Sequence, residues 1–158
     1  MKLIKNIVCV MLVCLMLAFG FAGCKTQDDV KSGAKEFDPE AAFSKLLNDV
    51  KYAEALEDQS SNAEFFFPDV PSDVEIKLYS APSGRYVDSC MMFKAAKADE
   101  LPVIKESIES YISSVSAEFH VYNPGEEPKL QDAVIYENGL YVFVCITEDT
   151  AAANSILK

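Results

Sequence analysis

The strongest pattern in the chain runs from Leu101 to Phe119. Leu101, Ile104, Ile108, Tyr111, Ile112, Val115 and Phe119 recur every three or four residues, with Lys105, Glu106, Glu109, Ser110 and Ser113 opposite them. This spacing predicts one long amphipathic helix. Asp99 is expected to open it, Pro102 is tolerated in its first turn, and it stops before Asn123-Pro124-Gly125. A second helix is expected behind Asp38-Pro39-Glu40, where Asp38 caps the free amides and Pro39 suits the first helical position. Its apolar face is Phe43, Leu46, Leu47 and Val50, and Tyr52, Ala53 and Leu56 either continue it or begin a second short piece.

Elsewhere the period is two. Val74, Ile76 and Leu78 alternate with Glu75, Lys77 and Tyr79, which predicts a half-buried strand. Ala81-Pro82-Ser83-Gly84 is turn chemistry. Residues 86–94 read as the return strand, with Val87, Met91 and Phe93 inward. A second pair of strands, 133–137 and 140–147, flanks Asn138-Gly139, a strong hairpin signal because both residues accept positive φ. Val142, Val144 and Ile146 alternate with Tyr141, Phe143 and Cys145, so both faces of that strand are largely apolar and it belongs in the middle of a sheet. Glu148-Asp149 can start a terminal helix through Ala151, Ala152, Ile156 and Leu157. The expected fold is α+β: an antiparallel four-stranded sheet of two β-hairpins, one face covered by the long amphipathic helix together with N-terminal and C-terminal helices.

The first 23 residues follow neither period. Lys2 and Lys5 precede an uncharged run from Asn6 to Gly23, 18 residues long. A stable bilayer crossing needs about 20 apolar residues. A short apolar core behind a basic start, ending in small residues, reads as a secretory signal peptide. Phe21-Ala22-Gly23-Cys24 is similar to the bacterial lipobox, which implies cleavage between Gly23 and Cys24 and lipidation, palmitate included, at Cys24. Phe21 stands where the lipobox pattern prefers leucine. Residues 24–37 are polar and read as a flexible tether, leaving 38–158 as a single α+β domain. The expected location is the extracytoplasmic face of the cell membrane, with the membrane itself as the first partner through the lipid at Cys24.

Without residues 1–23 the chain keeps 12 basic and 25 acidic side chains, a net charge of −13. Such a balance argues against a phosphate-backbone binder, so no nucleic acid is expected. His120 is the single histidine and lies near the end of the long helix, where a cationic side chain suits the dipole. It has no local nucleophile, and Glu118 faces elsewhere on the helix. Neither G-x-S-x-G nor a Walker loop occurs. The acidic pairs Glu126-Glu127 and Glu148-Asp149 lack calcium-loop spacing. No catalytic residue, metal ligand or cofactor is therefore assigned.

Two features remain open. Phe65-Phe66-Phe67, ahead of Pro68, either plugs the core from a short helical turn or forms an exposed docking patch. Tyr141 and Phe143 on the back of the last strand are a second apolar surface. Cys90 and Cys145 fall on different predicted strands, so they are two separate buried or half-buried thiols, a reactive pair, or a disulfide, the last only if those strands are neighbours.

Met92-Phe93-Lys94-Ala95 before the long helix, then Tyr122-Asn123-Pro124 through Pro128-Lys129-Leu130, then Asn138-Gly139-Leu140-Tyr141-Val142 together resemble one known family. This is the domain of unknown function 4358, an uncharacterised group of Firmicutes surface lipoproteins. The resemblance covers Phe37 to the C-terminus and implies a small α+β domain on the cell surface. It carries over no activity and no functional residues. Two functional expectations follow. One is a non-catalytic binding or assembly module that grips an envelope protein or wall component. The other is an envelope hydrolase or solute-binding accessory with a carboxylate-based site.

Overall fold

The computed structural model describes residues 37–158. The signal sequence, the cleavage and lipidation positions Gly23 and Cys24, and the tether as far as residue 36 lie outside the described residues. Five strands, β1 (Glu57–Asp58), β2 (Glu75–Ser80), β3 (Ser89–Lys94), β4 (Val134–Asn138) and β5 (Tyr141–Ile146), form one sheet in the order β1-β2-β3-β5-β4. Every neighbouring pair is antiparallel. The sheet has five strands where four were expected. β1 is a two-residue edge made of exposed Glu57 and Asp58, too short and too polar to show an alternation.

Among the described residues five α-helices accompany the sheet: α1 (Pro39–Asp49), α2 (Ala63–Phe66), α3 (Leu101–Tyr122), α4 (Glu127–Gln131) and α5 (Thr150–Leu157). They cover both faces rather than one. On the first face Ile104, Ile108 and Phe119 of α3 pack with Leu78, Met91, Phe93, Val142, Val144 and Ile146. On the second, Ala42, Phe43 and Leu46 of α1 and Ala153 and Leu157 of α5 pack on Cys90, Met92, Phe143 and Cys145. The reason is in β3. Cys90-Met91-Met92-Phe93 has no polar residue at either parity, so an uncovered face would leave Met92 and its neighbours in water. β3 and β5, adjacent and central, are the most buried strands.

Most helix ends follow the expected chemistry. Asp38 Oδ1 accepts from the amides of Glu40 and Ala41, both at 3.1 Å, and Asp149 Oδ1 accepts from Ala152 at 3.2 Å. At α3 the expected opener Asp99 gives way to Glu100. Its buried carboxylate accepts from the amides of Ala96 at 2.8 Å and Lys97 at 3.2 Å, within a 3-10 turn over Ala98–Glu100. The β4–β5 turn also differs from expectation. Its two loop residues are Gly139 and Leu140, and of the flanking pair only Gly139 has positive φ, at 59°. Asn138 belongs to β4. The stretch ahead of β4, for which the sequence pattern predicts no helix, forms α4; Pro128 sits in its first turn, and the helix is too short to show periodicity. Phe37, assigned to the tether, packs its ring 5.8 Å from both Tyr136 and Phe143.

Candidate functional site

Two concavities meet at the start of β3. The first is a groove of about 560 Å³ between the segment Phe65–Asp69 and α3. Successive residues of a helical turn point about 100° apart, so three adjacent phenylalanines cannot all enter one core. Phe67 does enter it, at 2% exposure, with its ring 4.9 Å from Phe93 and 5.1 Å from Tyr111. Phe66 is 39% exposed and meets Tyr111 edge-on at 6.3 Å. Phe65 is 83% exposed and rests on Phe66 at 5.5 Å. The plug and the patch are thus both present, divided within one turn. The opposite wall is α3, presenting Ser107, Ser110, Tyr111, Ser114, Val115, Glu118 and Phe119, and Tyr86 closes one end. Asp69 and Glu118 line the groove, and no described lysine or arginine does.

The other expected surface is not available. Phe143 is fully buried beneath α1 and α5, and Tyr141 is half-buried with its ring stacked 6.4 Å from Phe143. The sequence showed an apolar back face on β5, and that face is a second core rather than a sticky exterior.

Burial, with a smaller contribution from Glu118, pushes the Tyr111 hydroxyl up to about 12. A free tyrosine ionises near pH 10. The unfolded chain therefore ionises first, and stability is lost as pH rises from about 10 to about 12. Tyr111→Phe is expected to remove this loss, which amounts to about 2 kcal/mol, when urea midpoints are compared at pH 8 and pH 11.5. Equal pH slopes for the two proteins would contradict the assignment.

The second concavity is a polar cleft of about 330 Å³ lined by Lys51, Tyr52, Ala53, Asp88, Lys129, Glu148 and Asp149. Its floor is an ion triad. Lys129 Nζ lies 2.7 Å from Asp88 Oδ2 and 2.9 Å from Glu126 Oε2, with Asp88 side-chain exposure at 1%. Asp88 also accepts from the amide of Ala53 at 3.3 Å, and Glu126 from that of Val87 at 3.1 Å. The Lys129 ammonium also sits 5.5 Å from the Tyr86 ring centroid. Asn123 adds a bond from Nδ2 to the Arg85 carbonyl at 3.1 Å. The Tyr-Asn-Pro…Pro-Lys-Leu stretch therefore pins the end of α3 and α4 to the β2–β3 connection. The Thr147 hydroxyl donates to the Lys51 carbonyl at 2.7 Å and holds the cleft's other wall. Two of the cleft's three carboxylates are committed to structure, Asp88 to Lys129 and Ala53 and Asp149 to capping α5, while Glu148 is exposed.

Behind the cleft lie the two described cysteines. Cys90 and Cys145 stand directly opposite each other on β3 and β5, both buried and both thiols. The strands are neighbours, as a pairing would need. The Tyr52 hydroxyl is 3.3 Å from Cys145 Sγ and donates to the Leu46 carbonyl at 2.9 Å. Burial pushes both the Cys90 thiol and the Tyr52 hydroxyl well above their ordinary range. His120 is apart from all of this. Its Nδ1 is 3.1 Å from Glu127 Oε1 at an exposed position, so its partner is Glu127 of α4, and Glu118 lies in the groove wall.

Asp88, Lys129 and Tyr52 were given no role from the sequence, and Glu126 was weighed only as half of an acidic pair. Asp88 had a signal, being a charge inside a predicted strand between Val87 and Ser89. Lys129 lay within the most specific part of the family resemblance. Tyr52 had none, since its role depends on a strand 93 residues away. Among the described residues no group of three or more His, Cys, Asp or Glu is placed to hold a metal ion, and no helix is long and apolar enough to cross a membrane.

The class is therefore an α+β domain with a central five-stranded antiparallel sheet between two helical layers. Residues 70–147 match the family model described as Domain of unknown function (DUF4358), so the chain carries a DUF4358 domain there. That span holds β2 to β5, the ion triad and both cysteines. It is narrower than the resemblance drawn from Phe37 onward, and it leaves out α1, α5, Tyr52 and the phenylalanine turn. No curated protein and no solved structure matches the chain.

Proposed function

We propose that the protein is an extracytoplasmic lipoprotein, anchored to the cell membrane through a lipid on Cys24, and that its domain is a non-catalytic binding or assembly module. Its groove takes an apolar, positively charged segment of an envelope protein. The observation that carries this reading is the groove between Phe65–Asp69 and α3. Phe65 stands 83% exposed with its ring against Phe66, and Asp69 and Glu118 line the same groove. Aromatic side chains, phenylalanine among them, are enriched in interfaces relative to the rest of the surface. Acidic lining favours a cationic segment and disfavours anionic polymers. The short basic start, apolar run and Phe21-Ala22-Gly23-Cys24 support the anchor.

Titration with amphipathic lysine-containing peptides and their glutamate counterparts tests the groove. The lysine series is expected to bind, more weakly at high salt, and Phe65→Ala is expected to weaken it about tenfold or more. Equal binding of both series, or binding indifferent to Phe65, contradicts the groove reading. Fractionation tests the anchor separately, since Cys24→Ala is expected to leave the membrane fraction while remaining folded. Retention of that variant in membranes contradicts lipid anchoring.

A further inference from the structure

We propose that Cys90 and Cys145 are a dithiol–disulfide couple that staples the two central strands, formed by exchange with an external disulfide. The register pairs Cys90 with Cys145 directly. The phase of the ladder is fixed one end along, where the Ala95 amide donates to the Leu140 carbonyl at 2.8 Å. Hydrogen-bonded pairs alternate along an antiparallel ladder, so 95–140, 93–142 and 91–144 are bonded pairs and 90–145 is a non-bonded one. In non-bonded pairs the Cα atoms are about 4.5 Å apart and the side chains converge. That distance falls inside the window of about 4.4–6.8 Å that a disulfide spans without moving backbone. Both side chains project into the same apolar layer with Met92, Phe143 and Leu46, where a disulfide is as well accommodated as two thiols.

The chemistry balances with an oxidant of the disulfide class. One cysteine, as thiolate, attacks a sulfur of the external disulfide. A mixed disulfide forms and one external thiolate leaves. The second cysteine then attacks the protein sulfur of the mixed disulfide and expels the other external thiolate. Two protein thiols are oxidised, one external disulfide is reduced to two thiols, and the two protons end on those thiols. The sulfurs lie beneath α1 and α5, so exchange belongs to the folding chain or to an opened state, before these helices seat. The bond would close a loop from β3 through α3 to β5, a long connection whose restriction in the unfolded state is worth on the order of a thousandfold in the folding equilibrium.

The test uses the full chain, unfolded and reduced, then refolded in detergent with glutathione and glutathione disulfide or with dithiothreitol. Peptide mapping without reduction is expected to recover a fragment joining positions 90 and 145, absent after dithiothreitol. The glutathione-refolded protein is expected to melt roughly 10–15 °C higher, and Cys90→Ala to show no such redox dependence. Recovery of Cys90 and Cys145 as free alkylatable thiols, or as separate glutathione adducts, at every disulfide concentration overturns the proposal. The mapping is performed on the wild-type sequence, so its outcome does not depend on the variant folding.

Discussion

Lys129→Met is expected to destabilise the domain by about 3–5 kcal/mol, measured as a shift in urea midpoint at pH 7. The size follows from what the substitution leaves behind. Asp88 and Glu126 converge on one ammonium from β3's approach and from the turn before α4, with Lys129 itself only 12% exposed. Neither carboxylate can swing into water without giving up a backbone amide, Ala53 in one case and Val87 in the other. Removing the lysine thus strands two like charges in a poorly solvated floor. A substitution of both ends tests the account. Asp88→Asn in the Lys129→Met background is expected to recover part of the loss, because the remaining carboxylate is no longer opposed by a second. A cost below about 1 kcal/mol for Lys129→Met would place the triad among ordinary solvated surface pairs.

The pH dependence of the same triad has a definite sign. Burial works against the Lys129 ammonium, but the bonds to Asp88 and Glu126 outweigh it, and the folded-state pKa lies above the ordinary lysine value. A base held more strongly in the folded state contributes its stability in full below its unfolded pKa of about 10.4, and loses it as pH rises through the folded value. The Lys129→Met deficit is therefore constant from pH 7 to 9 and narrows only in strong alkali.

The division between what was legible and what was not follows the range of the interactions. α1, α3, α5 and both hairpins were readable because each is a local pattern: a carboxylate before a periodic run, an alternation, a glycine at a turn. Placement of β5 in the sheet interior was also readable, since Tyr141, Phe143 and Cys145 oppose Val142, Val144 and Ile146 without a polar side. The second helical layer was the missed consequence of that same observation. An apolar back face was read as a sticky exterior when α1 and α5 were at hand to cover it. The ion triad was out of reach because its members, at 88, 126 and 129, are brought together only by the β3–α3–α4 path. The opposition of Cys90 and Cys145 required the strand order, which no local pattern encodes.

Within the phenylalanine turn, Phe67→Ala is expected to cost about 3–5 kcal/mol, and Phe65→Ala no more than about 0.5 kcal/mol, although they are two residues apart. Phe67 fills the space between the sheet and α3, edge-on to Phe93 and tilted against Tyr111. Truncation leaves a cavity between β-strand and helix, and neither wall can collapse into it, because β3 is fixed by two neighbouring strands. Phe65 touches chiefly Phe66 and water, so its truncation removes apolar surface that folding never buried. The pair separates the two roles that the aromatic run combines. If Phe65→Ala also lowered the urea midpoint by 2 kcal/mol or more, the rim would be part of the core. The exposed aromatic could then no longer be assigned to a partner. If stability is indifferent at 65 and steeply dependent at 67, the chain is carrying an exposed phenylalanine that folding does not require. Such a side chain is free to serve the proposed groove, which the peptide titration reads directly.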